Sequence, residues 1–183
     1  MSATDETPET AYVAVVPRET TEDYDPAAMG VAVVGVLYDG TVYYFGEDDL
    51  PRLFDLLERA ERFVGVNDYV VEALEPYTDE RTDGDGETDG DLPPFEGVQT
   101  RVSDALGQRV SLNNVAKATL GRERDDPRRL PLEWSEGREK TVKRSLKKDL
   151  LILRDLDDAI RDDRRVHVTD PRTMEETAVE FDG

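Results

Sequence analysis

The stretch GVAVVGVLYDGTVYYF, residues 30–45, contains two apolar runs separated by the dipeptide Asp39-Gly40. Asp-Gly between two such runs is a strong signal for a two-residue hairpin turn. The β-branched and aromatic residues on both sides of it favour strands over helices. We therefore predict an antiparallel hairpin formed by residues 30–37 and 41–45.

The segments on either side of this hairpin predict a larger sheet. A short apolar run, Tyr12–Val16, reads as a buried strand before it. After it, apolar residues recur at helical spacing over residues 50–60, Arg62–Val66 is predicted as a strand, and Tyr69–Leu74 is predicted as a helix. A hairpin that leads into alternating helices and strands indicates an α/β fold. We expect a mixed sheet, with an antiparallel hairpin plus parallel strands, flanked by helices.

The second half of the chain is predicted to be helical. An amphipathic helix over residues 98–106 is closed by Gly107, because glycine readily adopts the left-handed conformation that ends helices. Ser111 is placed to cap a second helix, which Gly121 ends. The longest apolar stripe predicts a helix over residues 139–163.

Composition predicts how the chain is organised into ordered and flexible parts. We expect a flexible acidic N-terminus over residues 1–10, a single domain over residues 11–169 and a flexible C-terminal tail over residues 170–183. The last strand of the domain is predicted at residues 165–169. Residues 78–94 are predicted to be a disordered acidic insert, because a run of Asp, Gly, Glu and Thr buries too little apolar area to offset its ordering entropy.

The overall charge is strongly negative, at −20, with 18 arginines but only five lysines. Acid-rich, lysine-poor composition is typical of proteins from a high-salt cytoplasm, where salt screens the self-repulsion. The absence of cysteine excludes disulfides and thiolate metal sites. The sequence has no long apolar run that would span a membrane, and its first residues are acidic, unlike a signal peptide. We therefore expect a halophilic, cytoplasmic protein.

One segment has the opposite charge. Between Arg101 and Asp149 there are 13 basic and eight acidic residues, a local charge of +5, so the rest of the chain carries −25. Two interpretations stay open, a helix surface with paired charges or a face that contacts the phosphates of DNA or RNA. The candidate nucleic-acid-binding residues in this segment are Arg122, Arg124, Arg128, Arg129, Lys143, Lys147 and Lys148.

Two carboxylates are candidate functional residues. Asp149 lies between Leu146 and Leu153 and therefore shares the apolar stripe of the long helix. A buried carboxylate is costly unless it is paired, hydrogen-bonded or bound to a metal. The alternatives for Asp149 are a position at the stripe's border, pairing with an arginine, or a functional role. Glu19 follows the strand Tyr12–Val16, where the edge of a sheet can present side chains into a cleft.

Five segments of the chain match known sequence motifs in a fixed order. RVSLNNVAKATLG, residues 109–121, resembles "R-V-S-L-(D/N)-x-L-A-x-A-T-L-G", and SLKKDL, residues 145–150, resembles "Y-C-K-x-D-V". EWSEG (133–137) is similar to "W-W-x-x-G", and FVGVN (63–67) is similar to "V-V-G-F-N". VPRET (16–20) stands where "F-D-x-E-T" opens the domain. In this order, along nearly the whole chain, the segments resemble a bacterial and archaeal group of RNase-H-like 3′–5′ exonucleases of the DEDD type, in which "V-V-G-F-N" starts the second motif and "Y-C-K-x-D-V" is the third.

This resemblance implies a catalytic site of four carboxylates that hold two divalent cations, Mg²⁺ or Mn²⁺, around the scissile phosphate. Carried over onto this sequence, it implies Glu19 and Asp149 as catalytic residues and metal ligands. The carboxylate of the second motif corresponds either to Asp68 or to Glu72, and both alternatives stay open.

The chain also departs from the family pattern. Pro17, which has no ligand atom, stands at the first aspartate, and Ser145 stands at the tyrosine that positions the attacking water. Glu96 corresponds to a further aspartate without a clear catalytic role. Loss of even outer contacts around a metal commonly costs about 10–100-fold in affinity or activity. The expectation is a degenerate exonuclease-fold protein that binds nucleic acid with weak or no nuclease activity.

Two other functions remain as alternatives. One is an active metal-dependent 3′–5′ exonuclease on single-stranded DNA or RNA with a rearranged carboxylate set. The other is an adaptor that binds a protein partner, such as a component of a replication or repair complex.

Overall fold

The computed structural model describes residues 9–19, 24–78 and 92–181. Within those residues the strands are β1 (Thr10–Pro17), β2 (Val31–Tyr38), β3 (Thr41–Gly46), β4 (Arg62–Gly65), β5 (Phe95–Gly97), β6 (Val166–Thr169) and β7 (Glu176–Val179). The α-helices are α1 (Leu50–Leu57), α2 (Tyr69–Thr78), α3 (Val98–Leu106), α4 (Leu112–Leu120), α5 (Leu130–Ser135) and α6 (Glu139–Arg161).

Five strands form one mixed sheet in the order β3-β2-β1-β4-β5. β1 pairs antiparallel with β2, and β2 pairs antiparallel with β3. β4 pairs parallel with β1, and β5 pairs parallel with β4. The predicted α/β class, with an antiparallel hairpin plus parallel strands flanked by helices, is confirmed, and this sheet is compatible with an RNase-H-like fold.

The hairpin between β2 and β3 turns at the residues that the sequence indicates. Asp39 and Gly40 have φ values of 48° and 74°. Positive φ at both central residues is the signature of a type I′ turn, whose twist matches that of the paired strands. The turn therefore sets the register in which Tyr38 pairs with Thr41.

The two faces of the sheet carry different helices. Tyr12, Ala14 and Val16 of β1 point to a core that includes Leu146, Leu150 and Leu153 of α6. The alternate residues Ala11 and Val13 point to a second core formed with α1 and α2. Helix α6 lies close to β2, because a Cβ added to Gly35 would be 3.2 Å from the Leu150 side chain. The long helix is thereby fixed across the middle of the sheet.

Several helix ends agree with the sequence signals. Gly107 and Gly121 both adopt the left-handed conformation after α3 and α4. The Ser111 side chain accepts a hydrogen bond from the backbone N–H of Asn114, as an N-cap should. Strand β5 and helix α5 are additional elements that the sequence did not predict.

The structure describes only parts of the two chain ends and of the predicted acidic insert. Residues 1–8 and most of the predicted acidic insert, residues 79–91, lie outside the described residues. The sequence places residues 170–183 in a flexible tail, whereas the structure contains β7 at Glu176–Val179, paired antiparallel with β6. In the described part of the chain, none of the helices combines the length and apolar character needed to span a membrane.

Candidate functional site

A cleft of about 460 Å³ lies where the carboxyl ends of the parallel strands β1 and β4 meet helix α6. Loops after the carboxyl ends of parallel strands are common places for ligand sites in α/β proteins. We call this space the β1–β4 cleft. Its lining is mainly apolar and includes Val16, Pro17, Met29, Val70, Leu130 and Pro131.

Asp149 lines this cleft and is held by an arginine. The residue is 5% exposed. The Arg124 guanidinium donates from Nε to Oδ1 at 3.0 Å and from Nη2 to Oδ2 at 2.8 Å. Two parallel charge-assisted hydrogen bonds make this pair both strong and geometrically specific. Of the alternatives for Asp149 at the level of sequence, the structure places it in the arginine pair.

The loop after α4, residues 121–126, brings Arg124 to this position. The backbone N–H of Arg124 donates to Asn113 Oδ1 at 2.8 Å, which ties the loop back to α4. One residue further, Asp125 Oδ2 accepts a hydrogen bond from Ser145 Oγ at 2.7 Å. That bond lowers the pKa of Asp125, partly opposed by burial and reinforced by Lys148.

Ser145 and Asp149 therefore both form hydrogen bonds with the loop at residues 121–126. They are four residues apart and lie on one face of α6. These are the positions where the exonuclease pattern has its tyrosine and its last aspartate. In this chain both side chains fasten the loop at residues 121–126 to α6.

The other predicted carboxylates do not line the cleft. Glu19, Asp68 and Glu72 are all exposed, and none of them is among the residues around the β1–β4 cleft. Glu19 continues the pairing of β1 with the chain before β2, since its backbone N–H donates to Met29 O at 3.2 Å. The structure brings only Asp149 of the four predicted ligands to the cleft.

Pro17 ends β1 at a register shift between β1 and β2. Its ring lines the cleft at the place where the family pattern has its first aspartate. Because proline offers no oxygen on its side chain, it cannot contribute a ligand there.

A two-metal centre does not fit this arrangement. Such a centre needs several carboxylates with free oxygens converging on the cations. Both oxygens of Asp149 already accept from Arg124, whose positive charge balances the carboxylate. Among residues 9–19, 24–78 and 92–181, no group of three or more His, Cys, Asp or Glu side chains could hold a metal ion.

Most of the predicted nucleic-acid-binding residues are ion-paired. The pairs are Arg122 with Asp155, Arg124 with Asp149, Arg128 with Asp126, Lys143 with Glu139, and Lys148 with Asp125. Arg129 and Lys147 form no ion pair with any residue in the described part of the chain. The interpretation of paired charges therefore holds for five of the seven residues, and a face for phosphates stays a prediction.

The mouth of the cleft carries an exposed aromatic ring. Tyr24 is 70% exposed, and its ring centroid lies 6.2 Å from that of Tyr69. Burial raises the pKa of Tyr69, and its hydroxyl has no hydrogen-bond partner within the described structure. The two rings form a partly exposed aromatic edge of a cleft whose lining is mainly apolar.

A second buried carboxylate, which the sequence did not single out, lies at the opposite end of the sheet. Asp157 is 0% exposed, and its Oδ2 accepts from Tyr12 Oη at 2.9 Å and from Arg62 Nη2 at 2.5 Å. Arg161 Nε lies 3.2 Å from the same oxygen, and Arg101 lies 3.6 Å from Oδ1.

Glu96 of β5 belongs to this second cluster rather than to the cleft. Its carboxylate pairs with Arg62 Nη1 and, at 3.3 Å, with Arg101 Nη1. Burial, followed by the charge of Asp157, raises the pKa of Tyr12. The one available signal in the sequence was that Asp157 falls in the apolar stripe of α6. Arg161 is a local partner, four residues along α6, whereas Tyr12, Arg62 and Arg101 come from distant segments that no local pattern connects.

Comparison with protein-family models finds no match, and comparison with curated proteins finds no significant one. The resemblance to the exonuclease group therefore stays a prediction from short motifs, with which the sheet is compatible.

Proposed function

We propose that this chain is a degenerate RNase-H-like exonuclease-fold protein that binds nucleic acid and has weak or no nuclease activity. The observation that carries the proposal is the bidentate pair between Asp149 and Arg124 in the β1–β4 cleft. The Arg124 guanidinium occupies the position beside this carboxylate that a metal cation would need. Pro17 and Ser145 remove two further parts of the family's catalytic set.

Retained nucleic-acid binding is supported by cations beside the cleft. Arg129, Arg144 and Lys148 line a depression of about 450 Å³, together with Asp125, Asp126 and Glu133. Leu130 borders both this depression and the cleft, so the two are neighbours. Lys148 pairs with Asp125, whereas Arg129 and Arg144 form no ion pair with a described residue. In a chain with a charge of −20, these two arginines and the exposed Tyr24 of the cleft suit a single strand, whose phosphates and bases they would contact.

Several finer features belong to the same proposal. The strand is DNA or RNA, and the protein works in a cytoplasm with high salt. A protein partner from a replication or repair complex would bring this protein to the nucleic acid that it binds. Strong salt screening weakens phosphate contacts, so a partner or base contacts would have to supply part of the affinity.

The alternative is an active exonuclease that uses Mg²⁺ or Mn²⁺. It requires Glu19 and either Asp68 or Glu72 to move to Asp149, and Arg124 to leave. The same assay tests both functions.

In this assay, labelled single-stranded oligonucleotides are incubated with the protein and Mg²⁺ or Mn²⁺ in KCl, and both retention and length are measured. We expect binding without shortening. Shortening by the wild type that disappears in a Glu19→Ala/Asp149→Ala variant would establish the enzyme and overturn the proposal.

Binding is tested further with an Arg129→Gln/Lys147→Gln variant. These two residues are suitable because their removal leaves no described carboxylate without its partner. We expect weaker binding and a salt dependence whose slope falls by about one unit for each phosphate-binding cation removed. The matched control is Arg165→Gln/Arg172→Gln, which removes two exposed arginines outside the cleft lining. Equal binding by both variants and the wild type would contradict the predicted face.

A further inference from the structure

Two residues with side-chain amides, Asn67 and Gln99, line the β1–β4 cleft. Asn67 follows β4, and Gln99 is the second residue of α3. The backbone N–H of Gln99 donates to Val66 O at 2.8 Å, which fixes the start of α3 against the end of β4. Both amides therefore sit on segments that are held in place by backbone hydrogen bonds.

Gly97 permits this close approach. A Cβ added at Gly97 would lie 3.0 Å from Asn67 Cα and 2.8 Å from Thr100 Oγ1. Any larger residue would push the start of α3 away from Asn67. The arrangement of the two amides thus depends on the absence of a side chain at this position.

The hydrogen-bonding capacity of the pair can be counted. Asn67 Oδ1 already accepts from the backbone N–H of Tyr69 at 3.1 Å, so this amide is oriented with its Nδ2 donor available. The Gln99 amide forms no side-chain hydrogen bond with any residue that the structure describes, and it offers an NH₂ donor group and a carbonyl acceptor. Toward one base edge the two side chains therefore present two NH₂ donor groups and, from Gln99, one acceptor that is not already in use.

We propose that these amides read the edge of one unstacked pyrimidine base. This inference rests on the proposed nucleic-acid binding and deepens it. The pairing edges of cytosine, thymine and uracil each carry two acceptors and one donor, which complement the two amides. The pairing edge of guanine has one acceptor and two donors, so it would leave buried polar groups unpaired. Adenine lacks the second acceptor on this edge.

The remaining lining suits the rest of a base. A flipped or terminal base is typically held by apolar and aromatic contacts on its faces and by hydrogen bonds at its edge. Val66, Val70 and Leu130 supply apolar surface, and Tyr24 supplies an exposed ring at the mouth. A cleft of about 460 Å³ is large enough for one nucleotide.

The test uses short oligoadenylates that end in cytosine, thymine, adenine, guanine or an abasic unit, with binding measured by fluorescence anisotropy. We expect the pyrimidine ends to bind about tenfold more tightly than the guanine and abasic ends. The same bases placed internally show whether a strand end is needed. Equal affinity for all ends would overturn base reading while leaving nucleic-acid binding intact. No binding of any oligonucleotide would overturn the proposed function and this inference together.

Two variants sharpen the result. Gln99→Leu should remove the preference, whereas Gln108→Leu should keep it, because Gln108 is exposed and outside the cleft lining. Asn67→Asp keeps the acceptor that Tyr69 N–H needs but replaces the free donor with an acceptor. The pair then offers two acceptors and one donor, so the preference should change to guanine. An unchanged pyrimidine preference in folded Asn67→Asp, verified by thermal melting, would overturn the proposal.

Discussion

Helix α6 carries two buried aspartates that both pair with arginine but differ in their surroundings. Asp149 lines an open cleft with one arginine partner, Arg124. Asp157, eight residues or about 12 Å further along the helix, is sealed between the sheet and α6. It contacts Arg62 and Arg161 directly, with the Tyr12 hydroxyl as a further donor.

The difference shows that pairing alone does not define what a buried carboxylate does. The Asp157 carboxylate, which is fully buried, joins β1, β4 and α6. Its role is to hold the helix on the sheet. The pair at Asp149 fastens a loop beside a cleft that a ligand can enter. Because Arg124 neutralises the Asp149 carboxylate, this pair adds no net charge to the cleft.

The largest expected effect on the free energy of unfolding comes from a change at Asp157. Asp157→Asn removes the buried carboxylate that Arg62 and Arg161 share, so that among described residues Arg62 keeps only the Glu96 carboxylate and Arg161 keeps only that of Asp158. Breaking a buried ion pair from one side costs about 3–5 kcal/mol. We expect a loss of this size in the free energy of unfolding, measured by urea denaturation in KCl. Asp163→Asn is the control, because Asp163 is exposed and asparagine tolerates its φ of 52°. A change below about 1 kcal/mol for Asp157→Asn would break the comparison.

A change at Asp149 should lower the free energy of unfolding by less. Asp149→Asn leaves Arg124 in a cleft that water can enter, so part of its charge is hydrated after the change. We expect the free energy of unfolding to fall by about 1–3 kcal/mol, less than for Asp157→Asn under the same conditions. A loss equal to or larger than that of Asp157→Asn would mean that the two sites do not differ as described.

The smallest effect concerns the loop contact next to Asp149. Ser145→Ala removes the hydrogen bond to Asp125, whose side chain is 50% exposed, so we expect a loss below about 1 kcal/mol at neutral pH. The pKa of Asp125 is lower in the folded protein than its ordinary value of 3.8, chiefly through Ser145. This contribution is therefore complete above pH 3.8 and is lost as the pH falls through the lower folded value.

Urea denaturation of both proteins across this range measures the effect. The gap between the wild type and Ser145→Ala should close in acid. A gap that widens in acid would show that Asp125 is not the partner that matters.

Local signals predicted the parts of the fold that depend on neighbouring residues. The turn at Asp39-Gly40, the cap at Ser111 and the helix stop at Gly121 each follow from the conformational preferences of one or two residues. Strand β5 escaped prediction because Phe95–Gly97 has only three residues, too few to show a period. Strand β7 escaped because only Val179 of its four residues is buried.

The same distinction applies to the candidate site. The apolar stripe of α6 indicated that Asp149 could be buried, with a position at the border of the stripe as an alternative, since helical spacing is a local property. Its partner Arg124 lies 25 residues away in a loop, and Arg62 lies 95 residues from Asp157. Such pairings are decided by tertiary packing, which no short window of sequence contains. The sequence accordingly predicted Arg124 as a nucleic-acid contact, whereas in the structure Arg124 pairs with Asp149.

The most direct test of the central claim is Mn²⁺ binding, followed by electron paramagnetic resonance in KCl. The wild type and Asp149→Asn are compared, so that diffuse binding to the acidic surface is common to both. Because Arg124 occupies the Asp149 carboxylate, we predict identical Mn²⁺ titrations for the two proteins. Loss of a distinct Mn²⁺ site in Asp149→Asn would contradict the account and establish the β1–β4 cleft as a metal centre.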